Sequence, residues 1–128
     1  MECNRSRDER ESRKRMSTIV EKIGVPALLE QTAEECCELA QACLKMARKL
    51  RDENPTPKSI EDIREELIEE MADVEVCLDQ IMYTTDIVNV GALDRLTFEK
   101  SRRWFERLNM HLDLDELGPE LDDVVYSD

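Results

Sequence analysis

"IEDIREELIEEMADVEVCLDQI", residues 60–81, is the stretch that decides the fold. Turned at about 100° per residue, Ile63, Leu67, Met71, Val74, Leu78 and Ile81 share one side of a helix. Glu70 falls inside the same arc, between Cys77 and the row of Ile63 and Ile81. A carboxylate among apolar neighbours carries a desolvation cost that a solvated acidic edge does not. The stretch therefore fixes a helix and raises a functional question. The helix is expected to run from about Ile60 to Val88. Ser59 with Asp62 resembles a capping box at its start, with Asp in the usual place of Glu.

Upstream, "DENPTPKS" carries two prolines and breaks the helical pattern. Before that break, Leu28, Thr32, Cys36, Leu39, Cys43, Met46 and Leu50 recur on one side, predicting a helix from Pro26 to about Arg51. Pro26 suits a first helical turn, and Gly24 suits the end of a short helix through "MSTIVEKIG". Residues 1–15 are polar apart from Met1 and Cys3, and read as a lead-in with no packing face. Downstream, "NVGA" reads as a turn, followed by a helix from about Leu93 to Leu112 with Leu93, Leu96, Trp104 and Leu108 on its apolar side. Short connections between amphipathic helices predict an all-α, antiparallel helical bundle, completed by oligomerisation. The division expected is a lead-in over 1–15, a helical domain over 16–112 and an acidic tail over 113–128.

Composition agrees with helices. The 128 residues are 41% hydrophobic and 38% charged, with 3 Gly and 4 Pro, which is too apolar for disorder and too poor in turns for a β-sandwich. A net charge of −13 argues against a nucleic-acid partner. No run is long enough to span a bilayer and no secretory apolar segment is visible, so the expectation is a cytoplasmic protein with no membrane partner. The five cysteines are odd in number, and Cys36 and Cys37 are adjacent; a reducing compartment follows, with Cys36, Cys43 and Cys77 as small core residues. A single histidine, His111, makes zinc a poor fit. A di-iron bundle needs two ExxH motifs, and at that spacing His111 has only Leu108 and Leu114. The tail "DLDELGPELDDV" has Leu117 and Val124 where a calcium loop needs oxygen ligands.

The acids are placed more pointedly. In "EECCEL", residues 34–39, Glu35 lies at the border of the apolar arc, with Glu38 just outside it and Glu34 and Gln31 close by. Two consecutive helices thus present acid pairs three residues apart, Glu35/Glu38 and Glu70/Asp73, from a core-facing edge. Converging carboxylates repel unless a hard cation sits among them, and Mg²⁺ takes oxygen ligands while keeping waters and phosphates in its shell. On the last helix Lys100, Arg103 and Arg107 share the side of Leu93, Leu96 and Trp104, which suggests an anion. Acids for a metal with bases for an anion describe a polyphosphate site. The competing interpretation is two solvated faces whose charges pair with neighbouring helices.

"EECCEL" followed by "EEMADV" resembles the ExxE…ExxD signature of the MazG-like, all-α nucleoside triphosphate pyrophosphohydrolases. Over roughly residues 20 to 108 the text is similar to the short MazG-like proteins of Gram-positive bacteria and their phages. The resemblance implies a hydrolase that cuts a nucleoside triphosphate between the α and β phosphates, with Mg²⁺, or Mn²⁺ as substitute, as cofactor. It implies Glu35, Glu38, Glu70 and Asp73 as metal ligands, Glu34 and Glu35 as catalytic acids, and a homodimer or homotetramer. It implies phosphate or nucleotide contacts from Lys100, Arg103, Arg107, Gln31 and Trp104, and a role in nucleotide-pool housecleaning. Many relatives carry Asn four residues after the Lys; here Trp104 stands there. The alternative is a non-catalytic oligomeric interaction protein on this fold.

Overall fold

A computed structural model of the chain describes residues 2–52 and 56–110. These form four helices and no strand: α1 (Glu2–Ile23), α2 (Val25–Arg51), α3 (Ile60–Thr84) and α4 (Val90–Arg107). The all-α expectation holds. No helix among the described residues is long and apolar enough to cross a membrane.

The chain divides into two units, residues 1–89 and residues 90–128. In the first, α2 and α3 lie against each other along their length, and α1 joins both. The α2–α3 pair is antiparallel. Lys45 near the end of α2 meets Glu66 near the start of α3, while Leu28 at the start of α2 shares a cluster with Ile81 towards the end of α3. Val20 of α1 completes that cluster, with Val25 and Val88 packed on it. Leu28 and Ile63 are the largest fully buried side chains, and Ala42, Val74 and Cys77 continue the buried stripe between them.

Local chemistry explains the boundaries. Gly24 sits at φ 84°, a conformation costly for residues with a Cβ. Its N–H donates to Val20 O at 2.8 Å and its carbonyl accepts from Leu28 N at 3.1 Å, so one residue closes α1 and opens α2. Asp52 ends α2 in the left-handed region, its N–H donating to Lys49 O. The Lys49 ammonium then donates to Lys58 O at 3.0 Å, pinning the connection back onto α2. Ser59 Oγ accepts from Asp62 N at 3.1 Å, the N-cap expected from the sequence.

Three expected boundaries are corrected. The lead-in is not separate from the short helix: α1 runs unbroken from Glu2 to Ile23. Its polar part is held by local pairs such as Arg15–Glu11 at 2.8 Å, four residues apart, which require no buried face. Helix α3 stops at Thr84, not at Val88. Thr84 and Thr85 turn their hydroxyls back to donate to the Gln80 and Ile81 carbonyls, and Thr85 is already extended. "NVGA" is not a turn, because α4 starts at Val90, directly after Asn89, a residue type that suits an N-cap.

The inward faces are also corrected. On α2 the half-buried or buried line passes through Leu28, Thr32, Glu35, Leu39, Ala42, Met46 and Lys49. Cys36, Cys43 and Leu50 lie one position away on an exposed side, so Cys36 and Cys43 are not core residues. On α3 Cys77 takes the core position, whereas Met71 and Leu78 are exposed. On α4 Leu93, Leu96, Trp104 and Leu108 are all exposed. His111 and the acidic tail expected over 113–128 lie outside the described residues.

Candidate acidic metal site

The corrected inward face of α2 carries Glu35, and the inward face of α3 carries Glu70, which its apolar neighbours in the sequence already placed there. Glu35 stands on the α2 line that faces α3, and Glu70 stands on the α3 line that faces α2, half-buried between Ile63 and Val74. Antiparallel packing brings these two together with Glu38. The three residues each offer a carboxylate oxygen within 4.8 Å of the others. Glu70 Oε2 is sheltered from solvent and has no hydrogen-bond partner.

Burial pushes the Glu70 carboxyl above the ordinary carboxylate range, and the negative charges of Glu38 and Asp73 push it further. Asp73 is exposed, one turn beyond Glu70, and its oxygens lie outside the trio although its charge is felt there. Glu34 is exposed on the neighbouring side of α2, also outside the trio. Gln31 donates from Nε2 to Glu35 Oε1, so the structure gives it the work of orienting a carboxylate.

Beside the trio lies a cleft of about 250 Å³ lined by Glu38, Gln41, Ala42, Lys45, Glu66 and Glu70. Lys45 Nζ reaches Glu66 Oε2 at 3.1 Å, and Lys58 pairs with the other Glu66 oxygen. The hydrogen bonds from Lys58 and Lys45 hold the Glu66 carboxyl below its usual value. Glu66 is therefore neutralised, whereas among the described residues no cation pairs with Glu35, Glu38 or Glu70. Sequence reasoning missed Lys45. The signal was its position seven residues after Glu38, on nearly the same side of α2.

Cys77 packs behind the trio, its thiol raised chiefly by burial and opposed by a hydrogen bond with Thr32. A buried, protonated thiol is a packing group and a poor nucleophile.

On α4, taken by itself, Lys100, Arg103 and Arg107 line a hollow of about 500 Å³ together with Glu106. Arg103 donates from Nε to Glu99 Oε1 at 3.1 Å. Arg102 is the most heavily paired cation, bonded to both Glu99 and Glu106, and these carboxylates raise its pKa. Trp104 is 67% exposed. No protein-family model, no curated protein and no solved structure matches the chain.

Proposed function

We propose that the chain is a Mg²⁺-dependent nucleoside triphosphate pyrophosphohydrolase, with Mn²⁺ as substitute, folded as a helical bundle and active as a homodimer or homotetramer. The observation that supports it most is the uncompensated trio of Glu35, Glu38 and Glu70, with a sheltered Glu70 oxygen that has no partner. Carboxylates this close repel, and burial raises the cost. A hard divalent cation relieves both, and three oxygens leave room in its shell for phosphate and water.

When bound, the cation supplies charge neutralisation for phosphate oxygens and a lower pKa for water. The residues supply the rest. Gln31 holds Glu35 in place. Asp73 adds negative charge one turn from Glu70. Glu34 takes a proton from the attacking water, whose oxygen bonds to the α-phosphorus. The α–β bridging oxygen leaves with pyrophosphate, and a nucleoside monophosphate remains. On α4, taken by itself, Lys100, Arg103 and Arg107 supply the positive charge a polyphosphate takes, and the exposed Trp104 ring offers a stacking surface to base or sugar. The role that fits is housecleaning of the nucleotide pool.

The test is pyrophosphate release across a panel of ribo- and deoxyribonucleoside triphosphates, with Mg²⁺, with Mn²⁺ and with chelator. Release of pyrophosphate and monophosphate in equal amounts, lost with chelator, is the expected result. No turnover on any triphosphate would overturn the enzyme reading. It would leave the second one, a non-catalytic oligomeric interaction protein, favoured by the exposed apolar side chains of α2 and α3 such as Leu50 and Met71.

A further inference from the structure

Helix α2 has two apolar sides, and α3 covers one. The other carries a heptad seam. Leu29, Cys36, Cys43 and Leu50 recur every seven residues, and Ala33, Ala40 and Ala47 interleave with them at steps of four and three. Leu29 is 44% exposed and Leu50 68%, and the cysteines and Ala33 and Ala40 between them are exposed too. The seam is about 30 Å long, three full heptads. Alanine at every seventh position allows a second helix to approach to about 8 Å, the close end of helix packing distances.

The flanks say what that helix is. Along the edge of the seam lie, in order, Glu30, Glu34, Cys37, Leu44, Arg48 and Arg51, all exposed. Acid stands at the start, apolar groups in the middle and base at the end. Glu30 with Arg51 and Cys37 with Leu44 are each placed symmetrically about the point between Ala40 and Gln41. A copy laid antiparallel across that point meets Glu30 with Arg51, and Leu44 with Cys37. A parallel copy would set this edge against the opposite edge of its partner and leave these pairs unmade.

We infer that the outer face of α2 is an isologous dimer interface, in which α2 of a second copy of this chain packs antiparallel about Ala40. The edge is self-complementary, as a two-fold interface requires. The pairing places the flank of "EECCEL", with Glu34, beside the second copy, while Glu35 and Glu38 stay with α3. It rests on the seam and its charges, not on the reading of the acid trio.

Sedimentation equilibrium on the full chain tests it, with helicity checked by circular dichroism. Wild type is expected to dimerise and Ala40→Lys, which places two ammonium groups at the symmetry axis, to be monomeric. Glu30→Arg and Arg51→Glu each turn two attractive pairs into repulsive ones, so each should weaken the dimer by about tenfold or more. The double variant Glu30→Arg/Arg51→Glu should regain wild-type association, and an equal mixture of the two single variants should form a mixed dimer. A wild-type chain that stays monomeric would overturn the inference, because something else then covers the seam. A dimer indifferent to Ala40→Lys would also overturn it, placing the contact elsewhere. A double variant no tighter than the singles would overturn the antiparallel arrangement. None of these outcomes depends on triphosphate turnover.

Discussion

Glu70→Gln is expected to abolish metal-dependent pyrophosphate release and, at the same time, to raise the thermal stability of the metal-free protein. The two effects have one cause. The carboxyl stands half-buried on α3 beside Glu38, with one oxygen unpartnered, and burial and neighbouring charge push its pKa up. A carboxyl whose folded pKa exceeds its unfolded value stabilises the fold while protonated. That contribution is complete below the unfolded pKa and is lost as pH rises through the folded one. At neutral pH the ionised Glu70 therefore opposes folding, and the neutral amide removes the opposition. In acid, where Glu70 is protonated, wild type and variant should converge. Activity should fall on the order of 10²–10³-fold, the scale of losing a preorganised electrostatic contact at a reacting centre. Added Mg²⁺ should raise the melting temperature of wild type and leave the variant unmoved. A variant that melts lower than wild type without metal, or that keeps full turnover, would contradict the assignment.

Ile63→Ala is expected to cost about 3 kcal/mol of folding stability, within the range of 2–5 for emptying a buried aliphatic site. Ile63 is fully buried at the N-terminal end of α3. The buried apolar set of the described residues is small: Val20, Leu28, Ala42, Ile63, Val74, Cys77 and Ile81. Against a typical total of about 5–15 kcal/mol, one such loss is a large share. Ile68→Ala on the same helix is the comparison, since Ile68 is 60% exposed and should cost within about 0.5 kcal/mol. Urea denaturation at fixed protein concentration measures both. Equal costs at the two positions would contradict the placement of the core.

Much of the arrangement was legible in the sequence. Gly24 and Ser59 each carry local chemistry that sets a boundary, and both act as their residue types predict. Glu70 was legible because its wheel neighbours on α3 are apolar, and a carboxylate there carries a desolvation cost. The inward side of α2 was legible at Leu28, Thr32, Leu39 and Met46 but not at Cys36, Cys43 and Leu50. Its apolar residues cover two adjacent sides, and the wheel alone does not say which side α3 takes. The sequence favours the side of Cys36, Cys43 and Leu50; α3 takes the side of Glu35, Ala42 and Lys49. The one-position rotation turns Glu35 towards Glu70 and leaves a heptad seam uncovered. The length of α1 escaped for a different reason: a helix held by pairs four residues apart leaves no apolar period to read. The end of α3 at Thr84 depends on two hydroxyls choosing backbone carbonyls, a local competition that periodicity does not register.

The central claim is that Glu35, Glu38 and Glu70 together hold a divalent cation. Mn²⁺ binding, followed by the loss of the free-ion signal in electron paramagnetic resonance, tests it without relying on turnover. The predicted result is saturable binding to wild type, displaced by Mg²⁺, and weakened on the order of 100-fold by Glu35→Gln or Glu70→Gln in a chain that remains helical. Wild-type binding that survives both substitutions unchanged, or no saturable binding, would contradict it.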